Sequence, residues 1–186
     1  MRVILISGKA QNGKDTTAFM MKAELESSGS RVLLVHYADL LKYICRSFFG
    51  WDGEKDDYGR SLLQRVGTDV IRAKDPDYWV RFIAQILTLF QSEWDYVLIP
   101  DCRFPNEIDF LTDAGFDVLH LRVVREQFTS PLSAEQQKHP SETALDHRHP
   151  DAYIHNSGSL EELYDEVRSI VDAITGRQQM RLEFDI

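Results

Sequence analysis

Hydrophobic positions in this chain alternate between short unbroken runs, which read as buried strands, and longer stretches of helical spacing, with polar turns between them. Val3-Ile4-Leu5-Ile6 is the first run. Over residues 14–28 the apolar positions Ala18, Met21 and Leu25 recur at helical spacing, and Ser27-Ser28-Gly29 closes the helix. Residues 31–36 return to a buried-strand run, after which Asp39 is placed to cap a helix carrying Leu40, Leu41, Ile44 and Phe48. The acidic stretch 50–59 breaks the pattern and reads as exposed. Two helical stripes follow, one through Leu62, Leu63, Val66 and Val70, the other through Trp79, Phe82, Ile83, Ile86, Leu87 and Phe90. Residues 96–99 and 118–124 are strands with a short helix over 106–114 between them. A further short strand at 153–155 precedes a helix announced by the capping box Ser159 and Glu162. The tail 180–186 alternates in the manner of an edge strand or a partner contact.

Strands alternating with helices predict an α/β architecture, a mostly parallel five-stranded sheet covered by helices on both faces, with ligands at the carboxyl ends of the strands. A chain of 186 residues suits one such domain. The segment 125–150 lacks a clean period and holds three of the six prolines, as a mobile lid would.

At the end of the first strand the sequence reads Gly8-Lys9-Ala10-Gln11-Asn12-Gly13-Lys14-Asp15-Thr16. This is the G-x-x-x-x-G-K spacing of a phosphate cradle, with Asp15 where Ser or Thr is usual and a hydroxyl one residue later. Glycines at 8 and 13 free the backbone to converge its N–H groups on one anion, and the helix start adds partial positive charge. A lysine at that position is disfavoured by the helix dipole unless an anion is bound there. Gly8, Lys9, Asn12, Gly13, Lys14, Asp15, Thr16 and Thr17 are therefore the candidate binders of a triphosphate. Asp101, at the end of the strand 96–99, is placed to hold a water of Mg²⁺, with Asp15 and Thr16 completing the candidate metal site. Arg103 offers a planar fork to phosphate oxygens, and Glu107 could orient it or accept from a base or sugar. Lys9, Lys14, Arg103, Arg122, Arg125 and Arg148 are the candidate cations that follow the moving charge.

The composition narrows the partners. Net charge is −9, which argues against broad nucleic-acid binding, because that affinity comes from Lys and Arg displacing counterions. No apolar run approaches the roughly 20 residues of a membrane span, and the reading is of a cytoplasmic protein. Cys45 and Cys102 lack metal-ligand spacing and read as buried thiols. The histidines 139, 147, 149 and 155 lack the context of a metal site. Tyr37, Tyr78 and Trp79 are possible base-stacking rings, Trp79 reading first as core because it shares the stripe of Phe82 and Ile83.

Five segments, Gly-Lys-Asp-Thr-Thr-Ala (13–18), Tyr-Ala-Asp-Leu-Leu-Lys (37–42), Leu-Leu-Gln-Arg-Val-Gly-Thr-Asp (62–69), Asp-Cys-Arg-Phe-Pro-Asn-Glu (101–107) and His-Pro-Ser-Glu-Thr-Ala-Leu-Asp (139–146), together resemble the deoxynucleoside monophosphate kinases of bacteriophages. The resemblance implies a three-layer P-loop kinase fold over 1–186, with a helical monophosphate-binding region at 37–93 and a lid at 125–150. It implies ATP with Mg²⁺ as donor and a deoxynucleoside 5′-monophosphate as acceptor, in a possible homodimer. It also implies that Lys14 binds donor phosphates and that Arg103 and Glu107, with Gln64, Arg65, Ser141 and Glu142, face the acceptor; Lys42 and Asp101 are further candidates for the acceptor site, and Arg122 and Arg125 join Lys14 and Arg103 as candidates for the transfer. Two alternatives stand beside it: a small-molecule kinase of the phosphomevalonate or dephospho-coenzyme A type, and a nucleotide-binding module without turnover.

Overall fold

The computed structural model describes residues 1–54 and 56–176. The alternating tail 180–186 therefore lies outside the described residues. Five strands, β1 (Arg2–Ser7), β2 (Val32–Leu34), β3 (Tyr96–Ile99), β4 (Asp117–Val124) and β5 (Ala152–His155), form one sheet in the order β2-β3-β1-β4-β5. Every pairing is parallel. The central position of β1 follows from its composition. Val3, Ile4, Leu5 and Ile6 are wholly buried, which an apolar run without alternation requires when helices cover both faces.

Helices α1 (Lys14–Ser27) and α8 (Leu160–Thr175) cover one face, where Ala18, Met21 and Leu25 pack with Ile4, Ile6, Leu163, Val167 and Val171. Helices α2 (Ala38–Phe49), α4 (Tyr78–Leu89) and α5 (Pro105–Asp113) belong to the other, joining Val3, Leu5, Val97 and Ile99 through Leu40, Ile83, Leu87 and Leu111. A satellite core of Cys45, Trp51, Leu62 and Val66 fastens α2 to α3 (Asp57–Gln64) and to the π-helical segment Arg65–Arg72 that continues it.

Four local expectations change. Asp39 does not cap α2; its carboxylate accepts from His36 N, and the helix head is held by Asp101 instead. The stretch 50–59 is not wholly exposed, because Trp51 is buried against Leu62 and donates Nε1–H to the Glu54 carbonyl. Val70 leaves the apolar stripe and faces solvent, since the π-helical turn places Ile71 against the core in its stead. Phe48, expected on the packed face of α2, is 75% exposed. The segment read as a lid contains two short helices, α6 (Ala134–Gln137) and α7 (Pro140–Thr143), and α7 is docked on the loop after β1.

Candidate active site

Two glycines let the loop between β1 and α1 close tightly. Gly8 has φ +145°, and a Cβ there would stand 2.4 Å from the Val123 carbonyl oxygen; Gly13 has φ +95°, and its Cβ would meet Asn156 Nδ2 at 2.3 Å. Gln11 takes a positive φ of 60° without being glycine, a strained backbone of the kind that clusters at functional sites. Asn12 anchors the loop from beneath, donating to Val123 O and accepting from Asn156 Nδ2 through its own carbonyl. Among the described residues no side chain caps α1, so its first amides, with the helix dipole behind them, keep their donors for another partner.

Lys14 is nearly buried, and its ammonium donates to the carbonyls of Gly8 (2.8 Å) and Lys9 (2.9 Å), lying across the cradle. Burial, with help from the neighbouring Arg103, lowers its pKa to about 8, against the pull of Glu142, Asp15 and Asp101. An anion in the cradle would reverse that shift. Beside this loop lies a cleft of about 220 Å³ whose walls include Gly8, Lys9, Asn12, Arg103, Arg122 and Glu142.

The cations of the cleft are already partnered, largely by the docked segment around α7. Arg103 donates to the Ser141 carbonyl and to the Glu142 carboxylate, whose other oxygen accepts from Ala10 N at 2.9 Å. Lys9 holds the Glu142 carbonyl and Asp146. Arg122 holds the carbonyls of Leu145 and Arg148, and Arg148 pairs with Asp109. Glu142 thus bridges a loop amide and a guanidinium, which is the donor set that a phosphate oxygen would use.

Where the sequence predicts a metal, Asp15 is well exposed on the first turn of α1 and its Oδ1 lies 2.9 Å from His36 Nε2. The bond to Asp15 raises the His36 pKa, with Asp101 and Asp39 adding to it against burial. Asp101 uses one oxygen for Tyr37 N and the other for Ala38 N, and each retains a lone pair for a metal-bound water. An exposed carboxylate with Thr16 beside it, backed by Asp101, fits a hydrated Mg²⁺.

Several predicted site residues fall elsewhere. Thr17 is wholly buried on the inner face of α1, so its side chain does not reach the cleft. Arg125 is exposed and stacks on Phe128. Lys42 pairs with Asp39, and neither it nor Gln64 nor Arg65 is among the residues lining the cleft. Tyr37 is buried core, its hydroxyl donating to the Glu107 carbonyl, and Trp79 is buried with Nε1–H on Gly67 O. Glu107 is 2% exposed, with both carboxylate oxygens taken up inside the protein. One oxygen accepts from Arg72 and the other from the backbone N–H groups of Arg103 and Phe104. Arg72 carried no motif of its own. A carboxylate four residues after Arg103, at the buried start of α5, was the available hint that a second cation had to arrive from elsewhere.

A parallel sheet of this strand order, with a glycine loop running from β1 into α1 and a lysine at the helix head, defines a P-loop kinase fold. An APS kinase of Mycobacterium tuberculosis, solved with AMPPNP and APS, shares it with a TM-score of 0.51 over 94% of this chain and 97% of that one, at 12% identity. The family model described as deoxynucleotide monophosphate kinase matches residues 49–167, more than half of the sequence, and the chain belongs to that family. The deoxynucleotide monophosphate kinase of Enterobacteria phage T4 is 35% identical over 117 residues, 62% of this chain and 46% of that protein. A phosphomevalonate kinase of Drosophila melanogaster is 30% identical over 116 residues, 58% of each. The chain spans about half the length of the curated relatives it matches. The phosphate loop lies before the matched region, so its assignment stands on its own geometry.

Proposed function

We propose that this protein transfers the γ-phosphoryl group of ATP to a deoxynucleoside 5′-monophosphate, giving ADP and the diphosphate. The observation that carries the reading is that the glycine loop, with the Lys14 ammonium lying on its carbonyls, and Arg103, delivered from beyond the end of β3, line one cleft. Family membership supports the acceptor class. A monophosphate has a second pKa of about 6 and is largely a dianion at pH 7, so its oxygen needs little help from a general base. The obstacle is repulsion between two polyanions. Lys14 neutralises the donor phosphates, Arg103 and Arg122 lie where charge would build up on the moving group, and the segment around α7 excludes water from the cleft. Mg²⁺, held by Asp15 and Thr16 with Asp101 behind its waters, would add charge neutralisation on the donor when bound. The region 37–93 serves acceptor binding and 125–150 the lid within one kinase domain.

The test is direct: the purified protein with ATP and Mg²⁺ is offered each nucleoside and deoxynucleoside monophosphate and ADP formation is followed. Phosphomevalonate is included, because the match to the Drosophila enzyme makes it the second reading. Turnover with deoxynucleoside monophosphates sustains the proposal, turnover with phosphomevalonate alone replaces it, and ADP formation with no acceptor dependence ends it.

A further inference from the structure

Arg103 reaches the cleft from a short stretch between β3 and α5, and its own side chain is only partly buried. A guanidinium on such a stretch points where its backbone points. Its N–H is fixed by Glu107 Oε2 at 2.6 Å, and the same oxygen holds Phe104 N at 3.1 Å. Glu107 is therefore the clamp on the backbone that aims Arg103. A carboxylate that is 2% exposed needs a counter-charge to stay ionised, because burial pushes its pKa up.

That counter-charge comes from Arg72, outside the motifs considered above. Its Nη2 donates to Glu107 Oε1 at 2.6 Å, its side chain is 13% exposed, and its Cζ sits 3.9 Å over the Phe104 ring. Its Nη1 donates to Asn106 and to the Pro76 carbonyl, and Asn106 in turn holds Pro76 and Asp77, which ties α5 to the chain after the π-helical segment. The fork's bonds to Glu107, Asn106 and Pro76 thus go to the carboxylate that holds the Arg103 peptide and to the chain around it. The segment Arg65–Arg72 is itself held, with Trp79 on the Gly67 carbonyl and Leu41 packed so closely on Gly67 that a Cβ there would stand 2.6 Å from it. π-Helical turns recur at functional sites, and this one delivers Arg72.

We infer that Arg72 is a positioning residue: it holds Glu107 in orientation, and through Glu107 sets the backbone from which Arg103 reaches the transferred phosphoryl group. The inference rests on the phosphoryl-transfer reading for its catalytic part and on the unliganded geometry for the rest. Arg72→Met is expected to lower kcat by about ten- to a hundredfold, the range that a misplacement of about 1 Å produces, while leaving the KM for ATP within about twofold. In an Arg103→Ala background, measured with enzyme in excess, Arg72→Met is expected to cost nothing more. In the unliganded protein the amide protons of Arg103 and Phe104 exchange faster in Arg72→Met than in the parent. Should Arg72→Met fail to fold, Arg72→Met/Glu107→Gln, which removes both charges together, carries the same three comparisons. An equal fall of kcat in the Arg103→Ala background would mean that Arg72 acts on substrate itself and would overturn the inference, as would unchanged exchange at Arg103 and Phe104. If the parent transfers no phosphoryl group at all, the functional reading fails separately, and the exchange measurement alone decides whether Arg72 sets this backbone.

Discussion

At the scale of single residues, the site depends on charges held where water is scarce. Lys14→Ala removes the ammonium that lies across the cradle and is expected to abolish phosphoryl transfer while leaving the thermal midpoint within a few degrees. Transfer by a natively folded Lys14→Ala protein would refute the assigned role. His120 on β4 gives a second residue-scale prediction. It is 3% exposed, its Nε2 lies 2.8 Å from Ser7 Oγ at the foot of the phosphate loop, and burial, with Arg122 and Arg148 against the weaker pull of Asp151, lowers its pKa from 6.5 to about 4. The folded protein thus binds fewer protons than the unfolded chain between those values. The neutral-histidine contribution, up to about 3 kcal/mol, is fully present above pH 6.5 and is lost as the pH falls towards 4. His120→Gln is expected to flatten that fall, read as the difference between urea midpoints at pH 7.5 and 4.5. Equal acid sensitivity in parent and variant would assign the loss to other groups.

At the scale of elements, Asp101 shows how far the sequence could be read. Its place at the end of a strand after a phosphate loop was legible from spacing. That its carboxylate holds the head of α2 was not, because the amides of Tyr37 and Ala38 are more than sixty residues away in the chain. Asp39, in the first turn of the helix, was the local choice, but its oxygen accepts from His36 N three residues back while Asp101 takes the amides at the helix head. Asp101→Ala is expected to destabilise the fold by about 1–2 kcal/mol, the usual cost of a lost cap, and Asp101→Asn by less because one acceptor survives. Urea titration of the two variants tests the order. The five strands and the main helices were readable because unbroken runs and 3.6-residue stripes persist over whole elements. Val70 and Trp51 were misread for local reasons: a π-helical register moves one stripe position outward, and an acidic turn can still bury a large ring. At the site, the glycine loop, Lys14 and Arg103 were legible as spacing. The bond from Arg72 to Glu107 links residues thirty-five apart with no periodic signal between them.

At the scale of the whole molecule, a chain with net charge −9 concentrates cations around one cleft and lays its own acceptors over them. Most of these acceptors are main-chain oxygens: Ser141 and Glu142 for Arg103 and Lys9, Leu145 and Arg148 for Arg122. Within the covering segment the carboxylates of Glu142 and Asp146 contribute side chains to those cations, while Ser7 Oγ on β1 also accepts from Arg122 Nε. Ser141→Ala is therefore expected to leave protease cleavage within 125–150 close to the parental rate, whereas Glu142→Gln/Asp146→Asn speeds it severalfold. Comparable acceleration by both variants would point to a different attachment. A carbonyl is the same whatever residue bears it. The covering strip is consequently free to drift in spelling while keeping its grip, and two proteins that close over their phosphates in the same manner could share almost no letters there.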